Sequence, residues 1–211
     1  MADMTVIFDL DYTLMDTARF KEAMAESLSS CGVSAADFWE TYDQTSRIAD
    51  KVCDYEPERH VEALGGRLTC DRSEALRRID AVVSRAPEFL FPGAQSLLQR
   101  LRADGARLVL LTMGNAAWQK RKAARSGLMP FFSKAVFAPE GKEAVAHELK
   151  ALKPPVVMVN DHGGEIDALQ SRFRDFHMIG VRGPKQRPSD PAVPVLDDLE
   201  SIYKEIRKRV G

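Results

Sequence analysis

An α/β fold, built on a parallel sheet with an inserted helical module, is predicted for this chain by three observations. Short apolar runs rich in β-branched residues recur along it. Helical patterns of ordinary length lie between most of them, and one long stretch after the first run carries helical patterns alone. The first run, Thr5-Val6-Ile7-Phe8, reads as a strand covered on both faces. Residues 17–88 contain no convincing strand. Phe20, Ala23, Met24 and Leu28 instead recur there at i, i+3, i+4 and i+8, the stripe of an amphipathic helix. A stretch of that length is too long for a structureless loop and reads as a helical cap above the strand ends. After the Pro92-Gly93 turn, residues 94–103 place Leu97, Leu98 and Leu101 on one helical face, and Arg107-Leu108-Val109-Leu110-Leu111 forms the next strand. Helices are expected over 116–126 and 142–152, a strand at Val156-Val157-Met158-Val159, and a helix over 165–173. A weaker strand over 176–181 and a final helix over 197–210 follow. The expected division is a core of residues 1–16 and 89–211 with a helical cap of residues 17–88. In open parallel sheets the site lies at the carboxyl ends of the strands.

Composition narrows the function. The 211 residues are 45% hydrophobic and 29% charged, with 30 Lys and Arg against 31 Asp and Glu, a net charge of -1. That balance gives no electrostatic footprint for nucleic acid or for a membrane surface. The longest apolar runs fall far short of a membrane span, and Asp3, Asp9 and Asp11 occupy the place of a signal peptide's apolar stretch, so a soluble cytoplasmic protein is expected. Cys31, Cys53 and Cys70 are odd in number and form no CxxC pair, which reads as three reduced thiols. Oligomeric state cannot be read from these residues.

The chemistry concentrates after the first strand, in Phe8-Asp9-Leu10-Asp11-Tyr12-Thr13-Leu14. Residues two apart on extended chain project to the same side, with Cα atoms roughly 6–7 Å apart. Two carboxylates so placed repel unless a cation lies between them or one holds a proton. The pair therefore suits a Mg²⁺ site, or an Asp nucleophile beside an Asp acid/base. Two solvated turn aspartates are the plain alternative.

The motif Asp9-x-Asp11-x-Thr13-Leu14 resembles the first motif of the haloacid dehalogenase-like superfamily, and the other family motifs follow in order. The resemblance implies a Rossmann-like parallel core with an inserted helical cap. Thr112, in Thr112-Met113-Gly114-Asn115, is similar to the second motif, a hydroxyl that binds the transferred phosphoryl group. The amides of Met113 and Gly114 at a helix start would complete an anion seat. Lys142 resembles the third motif, a lysine that neutralises charge between phosphate and nucleophile, and is preferred over Lys134 and Lys153 because Gly141 and an apparent helix flank it. The fourth, acidic motif is matched by Asp161, with Asn160 in place of the common Gly. Glu165 stands four residues on, the helical spacing that returns to the same side, whereas Asp167 points away.

The resemblance implies a Mg²⁺-dependent phosphohydrolase acting on a small phosphorylated metabolite. Asp9 is the nucleophile, Asp11 the acid/base, and Thr112 and Lys142 grip the phosphoryl oxygens. Asp9, Asp161 and the main-chain carbonyl of Asp11 hold the metal, with Glu165 as a supporting acid. Dehalogenases of the superfamily lack the second aspartate, so the presence of Asp11 favours phosphate chemistry. A phosphotransferase or mutase on the same core is the alternative, as is a non-catalytic phosphate-binding regulatory protein. His162 and Trp118, near the motifs, read as a local hydrogen-bonder and a packing residue, and Lys185 and Arg187 as solvated loop residues.

Overall fold

The strand Thr5–Phe8 (β1) is buried along its whole length, which demands cover on both faces and a neighbour on each edge. The structure, a computed structural model describing residues 4–48, 52–139, 141–152 and 154–210, supplies both. After β1 come α1 (Thr17–Ser29), α2 (Ala35–Ser46), the short strands β2 (Arg47–Ile48) and β3 (Val52–Cys53), α3 (Pro57–Leu64) and α4 (Arg72–Ser84). The chain then runs through α5 (Ala94–Ala103), β4 (Arg107–Met113), α6 (Ala116–Arg125), β5 (Lys134–Ala138), α7 (Ala146–Lys150) and β6 (Val156–Asn160). It ends with α8 (Gly163–Arg172), β7 (Phe176–Val181), β8 (Val195–Leu196) and α9 (Leu199–Val210).

Six strands form a parallel sheet in the order β5-β4-β1-β6-β7-β8. The central strand β1 pairs Phe8 with Leu110 of β4 on one side and with Val159 of β6 on the other. This register brings the carboxyl ends of β1, β4 and β6 side by side. Alternate residues of β1 serve opposite faces. Val6 and Phe8 pack with Leu97, Leu98, Ile202 and Ile206 of α5 and α9. Ile7 packs on the other face with Leu149, Ile166 and Leu169 of α7 and α8. Each such side chain contributes about 1.5–3 kcal/mol by burial, which is why the apolar runs alone predicted these strands.

Residues 17–84 form a helical insertion in which α1 packs on α4 and α2 on α3. Its buried stripe is Phe20, Met24 and Leu28, as the periodicity predicts. The chain enters and leaves this insertion through adjacent linkers: Asp16 donates its amide to Phe89 (2.7 Å) and Phe91 donates to Leu14 (3.0 Å).

Several expectations are corrected. A short antiparallel hairpin, β2 with β3, lies inside the stretch read as strandless. Strands β5 and β8 were not foreseen: β5 has only Ala-Val-Phe-Ala as an apolar signal and is an edge strand, half-exposed at three of its five positions. The helix expected over 142–152 is a 3₁₀ turn, Lys142–Val145, followed by the short α7. Cys31 and Cys70 form a disulfide, correcting the reading of reduced thiols. Sequence spacing is silent on this pair because Cys31 lies in the turn after α1 and Cys70 precedes α4, and only the packing of those two helices joins them. Among the described residues no helix is long and apolar enough to cross a membrane.

Candidate active site

Asp9 leaves the end of β1 with its amide bonded to Val159 (3.0 Å), so the backbone of β6 fixes where its carboxylate points. Asp161 follows the end of β6, and Thr112 lies one residue before the end of β4. The sheet register thus gathers three distant motifs at one cavity of about 330 Å³, which Lys142 and Glu165 also line. The loop after β1 turns sharply at Tyr12, a non-glycine residue at φ 57. A bulky residue in that region of backbone space is uncommon and costs energy, roughly 1–3 kcal/mol, of the kind found at functional sites.

Lys142 is the electrostatic centre. Its Nζ donates to Asp9 Oδ1 (2.8 Å), Glu165 Oε2 (2.7 Å) and Asn160 Oδ1 (3.2 Å), while Asn160 Nδ2 donates to Glu165 Oε2 (2.8 Å). The preceding Gly141 turns at φ 104, a conformation that glycine adopts without strain, and so presents the lysine inward. Burial works against the Lys142 charge, but Asp9 and then Glu165 outweigh it and hold the ammonium above the usual lysine range. Burial pushes the Asp9 carboxyl up, Lys142 pulls it down, and Glu165 and Asp11 push it up again, to about 6. Burial tends to raise Glu165, yet Lys142 and Asn160 hold it below the usual range. The Glu165 oxygen is thus engaged by protein donors, and Asn160, at the position where the family motif has Gly, is the group that shares it with Lys142.

Asp11 sits in a second latch. Lys122 Nζ donates to both of its oxygens (2.6 and 2.8 Å), Thr17 Oγ1 to Oδ1 (2.6 Å) and Gln119 Nε2 to Oδ2 (2.9 Å). Burial tends to raise this carboxyl, but the Lys122 ammonium, with Thr17 and Gln119, brings it down to about 2. Lys122, Gln119 and Thr17 were missed by sequence reasoning. The available signal was weak: Gln119 and Lys122 are three apart on α6 and share its buried face with Trp118 and Ala123.

Three buried polar atoms of cavity-lining residues have no hydrogen-bond partner among the described residues: Thr112 Oγ1, Asp161 Oδ2 and, beside Asp11, Gln119 Oε1. Burial first and the Asp9 charge second push Asp161 up, to about 8. A buried carboxylate raised by the charge of another wants a cation, and a buried orphan hydroxyl wants an acceptor. Among the described residues no three carboxylates, imidazoles or thiolates converge on one point. The donor set is therefore two carboxylates, Asp9 and Asp161, which fits Mg²⁺, an ion that takes one or two carboxylates and completes its shell with phosphate oxygens and water.

The expected anion seat is smaller than the sequence suggests. Met113 lines the cavity, but Gly114, at φ 119, donates its amide to Ala138 of the neighbouring strand (3.3 Å) and is not a free donor. Asn115 caps α6 by accepting from Trp118 (3.0 Å), which consumes another amide. His162 caps α8, and Asp167 binds Ser189 away from the site, as the spacing implied. Lys134 pairs with Glu148, while Lys153 lies outside the described residues. Lys185 lines the cavity from an exposed loop.

Comparison with protein families matches residues 4–171 to the model of haloacid dehalogenase-like hydrolases. Solved structures of similar fold include a chain from Burkholderia xenovorans LB400 assigned as a haloacid dehalogenase-like hydrolase, with a TM-score of 0.69, 21% identity and coverage of 100% of both chains. A chain from Thermotoga maritima assigned as a beta-phosphoglucomutase has a TM-score of 0.62 and 21% identity, covering 98% of this chain and 99% of that one. The L-2-haloacid dehalogenase from Xanthobacter autotrophicus has a TM-score of 0.65 and 16% identity, covering 98% and 99%. Comparison with curated protein sequences returns no match.

Proposed function

Since the chain belongs to the haloacid dehalogenase-like hydrolases, we propose that it is the phosphate-directed kind: a Mg²⁺-dependent phosphohydrolase of a small phosphomonoester, working through an aspartyl-phosphate. The observation that carries this reading is the pair of orphaned buried atoms, Asp161 Oδ2 and Thr112 Oγ1, beside Asp9 and Lys142. One calls for a cation and the other for an anionic oxygen, and a metal-bound phosphoryl group satisfies both. The presence of Asp11 supports phosphate over halide as leaving chemistry.

Asp9 attacks phosphorus in line, forming an O–P bond as the P–O bond to the leaving alcohol breaks. Lys142 neutralises the phosphoryl oxygens beside that nucleophile, and Thr112 donates to one of them. Asp9 and Asp161, with the main-chain carbonyl of Asp11, are the residues that would hold Mg²⁺, which supplies charge neutralisation when bound. Glu165 and Asn160 position Lys142. Asp11, held ionised by Lys122, is in the state that takes a proton from the water attacking the aspartyl-phosphate. The proton given to the leaving oxygen in the first step passes from Lys122 Nζ through the Asp11 carboxylate it donates to, and the proton that Asp11 takes from water in the second step restores the Lys122 ammonium. Residues 17–88 act as the cap that closes over this chemistry. The test is phosphate release from a panel of small phosphomonoesters with and without Mg²⁺. Release of halide from 2-chloropropionate, with no phosphate from any ester, would refute the proposal.

A further inference from the structure

The cavity is lined by four lysines: Lys21, Lys122, Lys142 and Lys185. Lys142 is spent on Asp9 and Glu165, and Lys122 on Asp11. Lys185 stands on an exposed loop. Lys21 differs from all three. It is half-buried, and among the described residues it makes no ion pair. Its ammonium is held over the rings of Tyr42, at 4.9 Å, and Tyr12, at 5.7 Å. An ammonium has three donors and no acceptor capacity, and ring faces offer it electrostatic cover without taking up those donors as a carboxylate would.

The placement follows from the helix. Thr17, Phe20, Lys21 and Met24 fall at i, i+3, i+4 and i+7 of α1, and all four line the cavity. Thr17 opens this stripe on Asp11, at 2.6 Å. Lys21 is the next turn along, its Cα about 6 Å farther along the helix axis than that of Thr17. The stripe therefore carries one group aimed at the reacting end of the cavity and one cation a turn deeper under the helical insertion, where the leaving alcohol must lie. Tyr55 and Trp118, with ring centroids 4.9 Å apart, wall the same space with apolar surface, so the cation is the exception on that wall.

Resting on the phosphohydrolase reading, we infer that Lys21 recognises a second anionic group on the substrate. The substrate class is then a phosphomonoester whose alcohol part carries a carboxylate or a further phosphate a short carbon spacer away from the ester oxygen. Charge-assisted hydrogen bonds in a partly desolvated cavity are strong enough to set such a preference.

The experiment compares matched pairs with the full chain and Mg²⁺: 3-phosphoglycerate against glycerol 3-phosphate, and fructose 1,6-bisphosphate against fructose 6-phosphate. Wild type, Lys21→Gln and Lys21→Arg are compared, with KM and kcat measured separately and Kd measured by calorimetry on Asp9→Asn. The expected result is a KM and Kd at least tenfold lower for the doubly anionic member of one pair. Lys21→Gln should lose that tenfold while changing the other member by less than threefold, and Lys21→Arg should keep most of it. The pair that responds tells carboxylate from phosphate. Equal constants within both pairs, or a Lys21→Gln that weakens every ligand alike, would overturn the inference, the latter by placing Lys21 on the transferred phosphoryl group. Absence of turnover with retained discrimination in calorimetry would instead count against the hydrolase reading and leave the role of Lys21 standing.

Discussion

The two walls of the cavity are built by opposite means. The sheet ends form a floor of buried charges, in which Lys142 is shared by Asp9 and Glu165 and Lys122 closes on Asp11. The helical insertion forms a roof of rings around a neutral imidazole. His60 is fully buried among Phe38, Tyr42 and Tyr55 and bonded to Thr41 Oγ1 (3.0 Å) and Tyr55 Oη (3.1 Å). The floor stores electrostatic energy in buried charges held close together. The roof stores shape. Changes in the floor should therefore read out as chemistry, metal dependence and charge-linked stability, and changes in the roof as packing stability and substrate choice.

The largest effect expected is on the floor. Asp9→Asn should lower kcat by on the order of 10³-fold or more in a phosphate-release assay, because it removes the attacking oxygen while Lys142 keeps Glu165. Activity within tenfold of wild type would dismiss Asp9 as nucleophile. Next comes Lys142→Met, which leaves two buried carboxylates without their cation. Denaturant unfolding should show a loss of about 3–5 kcal/mol, and a loss below 1 kcal/mol would mean that the floor is better solvated than it looks.

Roof changes come third. Cys70→Ser opens a cross-link between residues 39 positions apart, and loop-closure entropy sets the expected cost at about 2–4 kcal/mol. Limited proteolysis should find new cleavage in the insertion before the core; simultaneous cleavage of both would contradict the division into two regions.

The smallest effect is a pH response of opposite sign in the two walls. Burial pushes His60 down to about 4 in the fold, against the pull of its bond to the Phe38 carbonyl. Its unfolded value is about 6.5, so its contribution, up to about 3 kcal/mol, is complete above that pH and lost as pH falls toward 4. Asp161 is raised from 3.8 to about 8, so without Mg²⁺ its contribution is complete below pH 4 and lost as pH rises through 8. Thermal midpoints with and without Mg²⁺ should diverge on the alkaline side and coincide on the acid side. His60→Gln should flatten only the acid limb.

What the sequence made legible is what is local. Strand β1, the burial of Val156–Asn160 and the stripe of α1 follow from side chains a few positions apart, and so does the placing of Asp9 and Asp161 just past strand ends. What stayed hidden depends on partners far along the chain. Lys122 reaches Asp11 across 111 positions, and Cys31 meets Cys70 only because α1 packs on α4. Gly114 was expected to donate to an anion, yet the edge strand β5, itself unforeseen, takes that amide through Ala138.

The linkers that join Asp16 to Phe89 and Leu14 to Phe91 have a modular consequence. The chain departs from the core and returns to it at the same spot, already stitched together by backbone hydrogen bonds. The ends of the insertion are therefore neighbours, and the entropy of closing a chain between adjacent points grows only slowly with the length of what is threaded between them. The insertion is a cassette: it can lengthen, shorten or be exchanged for another while β1, β4 and β6 keep their register, so selectivity and chemistry are free to evolve at separate rates.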